Sequence, residues 1–292
     1  MMQLRHVARE ISYANSARTR GGRAMIRALE NLTGRPGLIR RAKGYEHEVA
    51  QGRDFWSVMV ERYGLGLDVI GGSLDNIPRE GPLVVISNHP FGILDGLIMG
   101  HILQETRQDF RIIAHQVFQK AQDLNRIILP ISFDETKEAQ RLNLETRKTA
   151  LDYLREGGCI GIFPGGTVST AARPRGIPLD PRWRTFTAKM IAKSAAAVVP
   201  VYFHGANSRR FQVASHLHYT LRMALLISEF KARVGGAVPV VIGEPLDRAE
   251  IDARSGNPRE LMDWLRAQTY ALSPTPIPNL GFGYEFEEKN AR

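Results

Sequence analysis

Six short apolar runs do most to constrain this chain: 83–86, 110–114, 127–131, 160–163, 198–203 and 238–242. The stretches between them space their apolar residues as helices do, so strand and helix alternate. Runs that are apolar at nearly every position, rather than every second one, belong to strands covered on both faces. The expected fold is therefore α/β, with a largely parallel central sheet flanked by helices. A weaker strand is expected over 67–70. Helices are expected over 46–63, 95–105, 135–156, 181–197, 208–229 and 258–272, with a short one between the second and third apolar runs. The tail carries Pro274, Pro276 and Pro278 and reads as irregular. Residues 64–292 read as one α/β domain, preceded by a helical element over 1–63.

Composition narrows the class. Of 292 residues, 43% are hydrophobic and 24% charged, which fits a globular chain and argues against disorder. Cys159 is the single cysteine, so no intramolecular disulfide can form and a reducing compartment fits best. It lies in an apolar run and reads as a core residue. No apolar stretch approaches the roughly 20 residues that span a bilayer. The N-terminus lacks the uninterrupted apolar core of a secretory signal.

The net charge of +9 is concentrated. Residues 1–43 hold ten Arg or Lys against two acids. Apolar residues are interleaved at helical spacing: Leu4, Val7 and Ile11, then Met25, Ile26, Leu29 and Leu32. Two readings fit equally well. Basic amphipathic helices of this kind lie in the interface of an anionic membrane. The same pattern also describes a helix pair docked on the main domain with a solvated arginine face.

The end of the 83–86 run carries the first chemical motif, Ser87-Asn88-His89-Pro90-Phe91-Gly92-Ile93-Leu94-Asp95-Gly96. Strand ends of open α/β sheets are where such folds present reactive groups. An imidazole titrates near neutrality and can take a proton from a hydroxyl. A nearby carboxylate can fix its tautomer and stabilise the imidazolium. The plainer reading is a turn in which Asp95 caps the next helix.

A second strand end reads Phe163-Pro164-Gly165-Gly166-Thr167-Val168-Ser169-Thr170. Paired glycines allow a ligand to approach the backbone, and three hydroxyls add donors. The Gly-Lys-Ser/Thr ending of a Walker loop is absent, and so is a G-x-S-x-G elbow. Alone, this loop is only a turn closing a strand. A third strand ends in Val199-Pro200-Val201 and runs into His204-Gly205-Ala206-Asn207, where Asn207 reads as a helix cap or as part of an acceptor pocket.

Taken in order, Asn-His…Asp, Phe-Pro-x-Gly-Thr-x-Ser and the strand ending Val-Pro-Val resemble the glycerolipid (lysophospholipid) acyltransferase family. The resemblance is direct over about 83–205, and element order extends it to about 245. It implies that His89 is the general base, oriented by Asp95, for attack of an acceptor hydroxyl on an acyl thioester. The donor would be acyl-carrier protein or acyl-CoA, with no cofactor, no metal and no acyl-enzyme. Substrate-binding positions implied are Asn88, Phe91, Gly92, Phe163, Pro164, Gly165, Gly166, Thr167 and Ser169. Lys120 after the third strand, and Arg173 and Arg175 after the loop, join them. A hydrophobic tunnel beside His89 with a basic mouth is expected. The protein would be peripheral, on the cytoplasmic face of the inner membrane, and would meet anionic lipid through its N-terminus.

Two departures shift the expected acceptor. His89 and Asp95 stand one residue further apart than is usual in the family. Gly165 and Val168 replace the family's glutamate and arginine, and an arginine is the natural bidentate partner of phosphate. The chain therefore looks more like the branch acylating lyso-aminolipids, in which the hydroxyl sits on an N-linked 3-hydroxyacyl chain. Ornithine-, glutamine- or sulfonate-headed acceptors fit; the alternatives are 1-acyl-glycerol-3-phosphate or a non-catalytic lipid-binding protein. No zinc-finger, helix-turn-helix or RRM signature supports a nucleic-acid partner.

Overall fold

The computed structural model describes residues 12–17, 19–116, 124–132 and 136–286. The chain enters through helices α1 (Arg20–Thr33), α2 (Arg35–Ala42), α3 (Tyr45–Ala50) and α4 (Phe55–Tyr63). It continues through β1 (Gly66–Gly72), β2 (Leu83–Ser87), α5 (Ile93–Thr106), β3 (Phe110–His115), β4 (Ile128–Ile131), α6 (Lys137–Arg155) and β5 (Cys159–Ile162). A short hairpin, β6 (Thr170–Ala171) and β7 (Pro178–Leu179), precedes α7 (Thr185–Ala192) and β8 (Ala197–Phe203). Then come α8 (Arg209–Leu217), α9 (Tyr219–Arg233), β9 (Ala237–Ile242), α10 (Arg248–Arg254) and α11 (Pro258–Ala271).

Seven strands form one sheet in the order β1-β9-β8-β2-β5-β3-β4. Every neighbouring pair is parallel except β8 and β9. Of the apolar runs, β8, β2 and β5 sit centrally, and every residue of β2 and β5 is buried, whereas β4 is an edge strand and β3 and β9 stand next to the edges. One face packs on α2, α4, α5 and α9 through Leu38, Trp56, Ile98, Leu103 and Ile227. The other packs on α6, α7 and α11 through Leu154, Trp183, Ile191 and Leu265.

Three expected helices differ in extent, for local reasons. The 46–63 helix is broken into α3 and α4, because Asp54 leaves the helical conformation to cap α4, its carboxylate accepting from Ser57 N–H at 2.8 Å. The 208–229 helix divides at His218, whose backbone is extended and whose Nδ1 caps α9 at Thr220 N–H. The 181–197 helix is only α7, since Arg184 N–H is taken by the Pro164 carbonyl at 3.0 Å. Ser208, not Asn207, caps α8. The hairpin β6–β7 and helix α10 carry no apolar run and went unmarked by periodicity.

The N-terminal region docks. Ile26 of α1 is buried with Ala224 of α9. Glu30 is fully buried and accepts from Ser12 Oγ and Tyr13 N–H, each at 2.6 Å. The Arg20–Thr33 helix still keeps apolar residues outward, with Met25 50% and Leu32 82% exposed. Leu4, Val7 and Ile11 lie outside the described residues. No described helix is long and apolar enough to cross a membrane.

Candidate active site

Strands β2 and β5 are adjacent and parallel, yet the helices that follow them cover opposite faces of the sheet. Their carboxyl ends therefore diverge, and the crevice between them is the switch point where α/β folds place ligands. The two sequence motifs are the loops that leave these two strands. Their side chains meet there, with the rings of His89 and Phe163 centred 4.4 Å apart.

The loop after β2 is shaped by its own helix. Gly92 takes φ +83°, a backbone conformation L side chains rarely adopt, and so turns the chain into α5. Asp95, in the first turn of α5, accepts from the backbone N–H of Phe91 at 2.7 Å and of Gly92 at 3.0 Å. The same Oδ2 lies 2.9 Å from His89 Nδ1. Capping and imidazole orientation are therefore one arrangement, and the extra residue between His89 and Asp95 leaves the contact intact. The Asp95 side chain is wholly buried, while 18% of that of His89 remains exposed. Burial pushes the Asp95 carboxyl above the usual range, against the pull of His89 and the two amides.

Asn88 stands beneath the histidine and braces the sheet. Its Nδ2 donates to the Phe203 carbonyl at 2.9 Å, and its Oδ1 accepts from Phe203 N–H at 2.7 Å. With both amide groups spent on β8 and 2% of the residue exposed, its role is to fix the ends of β2 and β8. Phe91 is buried under the guanidinium of Arg233, whose carbon lies 3.7 Å from the ring centre.

The loop after β5 is held by residues far along the chain. A Cβ added at Gly165 would meet the Asp180 carboxylate at 3.1 Å, so Asp180 occupies the ground beside that glycine. Asp180 is fully buried and accepts from His89 N–H at 3.1 Å, Trp183 Nε1 at 2.8 Å and the Ser169 hydroxyl. Ser169 N–H donates to the His89 carbonyl at 2.8 Å, which ties the two loops together. Arg222, from α9, donates to Thr167 Oγ1, to the Val168 carbonyl and to Thr170 Oγ1. The tail beyond α11 is irregular as expected, yet pinned: Tyr284 N–H donates to the Thr170 carbonyl at 3.0 Å and Gly283 N–H to Asp180's at 2.9 Å.

The structure thus gathers His89, Asp95, Asn88, Phe91, Gly92 and residues 163–169 around one crevice. Arg173 and Arg175 are not gathered there. They stand exposed between β6 and β7, and Arg173 lines a cleft of about 240 Å³ with Ile177, Leu179, Asn279 and Phe282. A second cleft is lined by Tyr270, Ile277 and Leu280, and His89 lines neither. Lys120 lies outside the described residues.

Asp180, Arg222 and Tyr13 escaped sequence reading. No motif surrounds them, and each reaches the crevice from a distant part of the chain. Tyr13 packs at the start of α5, its hydroxyl accepting from Ile93 N–H at 3.3 Å. Burial raises its phenol well above the usual range. Only Asp180 carried a hint, as an acid within an apolar and arginine-rich stretch.

The family model described as Acyltransferase matches residues 47–275. A lyso-glycine lipid O-acyltransferase of Bacteroides thetaiotaomicron is 25% identical over 236 residues, 76% of this chain and 80% of that protein. A lyso-glycine lipid O-acyltransferase of Phocaeicola vulgatus is 24% identical over 229 residues, covering 76% and 78%. The crystal structure of the 1-acyl-sn-glycerophosphate (LPA) acyltransferase PlsC from Thermotoga maritima aligns over 90% of this chain and 87% of its own, with 16% identity and a TM-score of 0.45. With its α/β sheet and the family match spanning most of its length, this chain belongs to the acyltransferase family and is an acyltransferase.

Proposed function

We propose that the protein transfers a fatty acyl group from a thioester to the hydroxyl of a lyso-aminolipid, with His89 as general base. The observation that carries this reading is the 2.9 Å contact between His89 Nδ1 and the buried Asp95 carboxylate at the mouth of the β2–β5 crevice. The relatives that act on lyso-glycine lipid support the acceptor class.

Asp95 holds the proton on Nδ1, which leaves Nε2 free to take one. His89 Nε2 removes the proton from the acceptor hydroxyl as its oxygen attacks the thioester carbonyl carbon. The tetrahedral intermediate collapses, the C–S bond breaks, and the imidazolium returns the proton to the departing sulfur. The products are an ester and a free thiol, on carrier protein or on CoA. On the β5 side the backbone N–H of Gly165 is the candidate oxyanion donor, since that of Gly166 is donated to the Phe163 carbonyl at 3.0 Å.

The protein acts as a peripheral enzyme on an anionic membrane, at the cytoplasmic face of the inner membrane. The Arg20–Thr33 helix, on which Met25 and Leu32 are exposed and Arg20 and Arg23 are exposed on another side, supports that contact.

The test is transfer from acyl-carrier protein and from acyl-CoA to lyso-glycine, lyso-ornithine and lyso-glutamine lipids, a sulfonate-headed analogue and lysophosphatidic acid, with His89→Ala beside each. His89-dependent turnover on aminolipids alone is the expected result. Turnover on lysophosphatidic acid alone would move the protein to phospholipid synthesis. No turnover on any acceptor would favour a binding protein of the same fold.

A further inference from the structure

The loop after β5 contains no charged residue from 163 to 172, yet a guanidinium lies directly against it. Arg222 is 1% exposed. Its two terminal nitrogens donate to Thr170 Oγ1 at 2.5 Å, Ser215 Oγ at 3.0 Å, Thr167 Oγ1 at 3.2 Å and the Val168 carbonyl at 2.8 Å. Its carbon sits 4.0 Å from the ring centre of Phe286 and 4.9 Å from that of Phe211. Every one of these partners is neutral, and no described carboxylate pairs with Arg222. Burial pulls the guanidinium down to about 9, while the nearby Tyr219 and Tyr13 oppose that fall, and it stays cationic at neutral pH.

A buried charge without a counter-ion is costly, and a neutral side chain could hold two or three of the same bonds more cheaply. That cost is offset if an anion completes the site from the open side of the loop. The loop also transmits position, because Ser169, between Val168 and Thr170, donates to the His89 carbonyl.

We propose that Arg222 is the positioning and specificity residue of the acceptor loop: it sets residues 167–170 against His89 and favours, from beneath the loop, an acceptor whose head group carries a carboxylate. This deepens the aminolipid reading and rests on it for the identity of the acceptor. Asp180 is the acidic counterpart of this brace, placed on the β2 side at Gly165, so the loop is strapped by one buried ion at each end. The cation bonds two of the loop's three hydroxyls, those of Thr167 and Thr170, while Ser169 bonds Asp180, and the bias toward an anionic head group arises at the Thr167–Thr170 side.

The experiment compares N-(3-hydroxyacyl)glycine with its uncharged methyl ester as acceptors for wild type, Arg222→Lys and Arg222→Met. In wild type the carboxylate should have the lower KM. Arg222→Met should raise KM for the carboxylate about tenfold more than for the ester, as expected for one unit charge acting through partly shielded protein. Its kcat should fall on both acceptors as the loop loosens. Arg222→Lys keeps the charge and loses the bonding fork, so it should lose kcat yet hold the wild-type KM ratio within about threefold. An unchanged KM ratio in Arg222→Met would overturn the proposal and leave Arg222 as a strap alone. Should Arg222→Met not fold, judged by its melting curve, Arg222→Gln takes its place, and Arg222→Lys alone still decides whether charge or bonding sets the ratio. Should wild type turn over neither compound, the aminolipid reading fails. Equilibrium binding to vesicles doped with the acid or the ester then decides the Arg222 reading separately: a wild-type preference for the acid that Arg222→Met removes supports it, and equal binding of both overturns it.

Discussion

The two loops that meet at His89 are built on opposite principles. The loop after β2 is turned from within: Gly92 bends it, and Asp95 closes on Phe91 and Gly92 only three or four residues away, while Asp180 and Ser169 bond the His89 backbone from outside. The loop after β5 is held at a distance, by Asp180 on one side and by Arg222, more than fifty residues further along, on the other. The group proposed as general base, His89, sits on the first, against a carboxylate from the first turn of the following helix. The second has short internal bonds at Gly166 and Thr170, and the rest of its shape depends on the packing of α9 and of the tail.

His89→Ala breaks the comparison most severely. It should cut transfer by about a thousandfold or more, with a melting temperature close to wild type, as a lost general base does. Turnover within tenfold of wild type would remove His89 from the mechanism. Asp95→Asn should cost about 10²–10⁴-fold in rate through loss of imidazole orientation. Its effect on stability has the opposite sign. A carboxyl whose pKa is raised by burial gives its stabilisation below the ordinary carboxyl range and loses it as pH rises through the raised value. At neutral pH the asparagine escapes that cost while still accepting from the capping amides, so Asp95→Asn should melt no lower than wild type. A clear drop at pH 7 would mean the charge itself holds the turn.

Asp180→Asn sharpens the difference between the loops. It weakens bonds from His89 N–H, Ser169 and Trp183 at once, and bonds to a charged acceptor contribute about 1.5–3 kcal/mol each. A fall of several degrees in melting temperature and about a tenfold loss of transfer is expected. An activity loss as deep as that of Asp95→Asn, with no change in melting, would make Asp180 part of the chemistry and dissolve the distinction. Met25→Ser with Leu32→Ser should weaken cosedimentation with anionic vesicles about threefold to tenfold and leave transfer to dispersed acceptor intact. Unchanged cosedimentation would place the membrane contact elsewhere. Removing residues 1–43 is a poorer test, because Tyr13, Ile26, Glu30 and Leu38 are packed into the fold. The smallest effect is expected at Cys159, whose thiol burial pushes up to about 12. Iodoacetamide at pH 8 should leave native protein unmodified and fully active, and inhibition that tracks its labelling would implicate the thiol.

What was legible in the sequence follows the same division. The six apolar runs became six strands of the sheet; at β2, β5 and β8 the reason is burial on both faces, which leaves no room for polar residues. The His-Asp turn was legible because its partners lie within one short segment. The antiparallel seam between β8 and β9 was not, since periodicity says which residues are buried and nothing of strand direction. Helix breaks at Asp54 and His218 were missed because side-chain caps there override continuous helical spacing. Asp180 and Arg222 were illegible for a different reason: their meaning arises only when α9 and the stretch after β7 are laid across the loop. Arg173 and Arg175, adjacent to the loop in sequence, were drawn to the site by proximity along the chain, and the β6–β7 turn carries them outward.

The contact between His89 and Phe163 has a consequence for the charge that His89 would gain. The rings are tilted by 31° with centres 4.4 Å apart, so the imidazole lies over an aromatic face rather than at its edge. That face carries the negative lobe of the ring quadrupole, which attracts a cation and is nearly indifferent to a neutral imidazole. In the proposed mechanism the imidazolium formed at His89 thus lies over the π cloud of Phe163, with the Asp95 carboxylate 2.9 Å from its Nδ1.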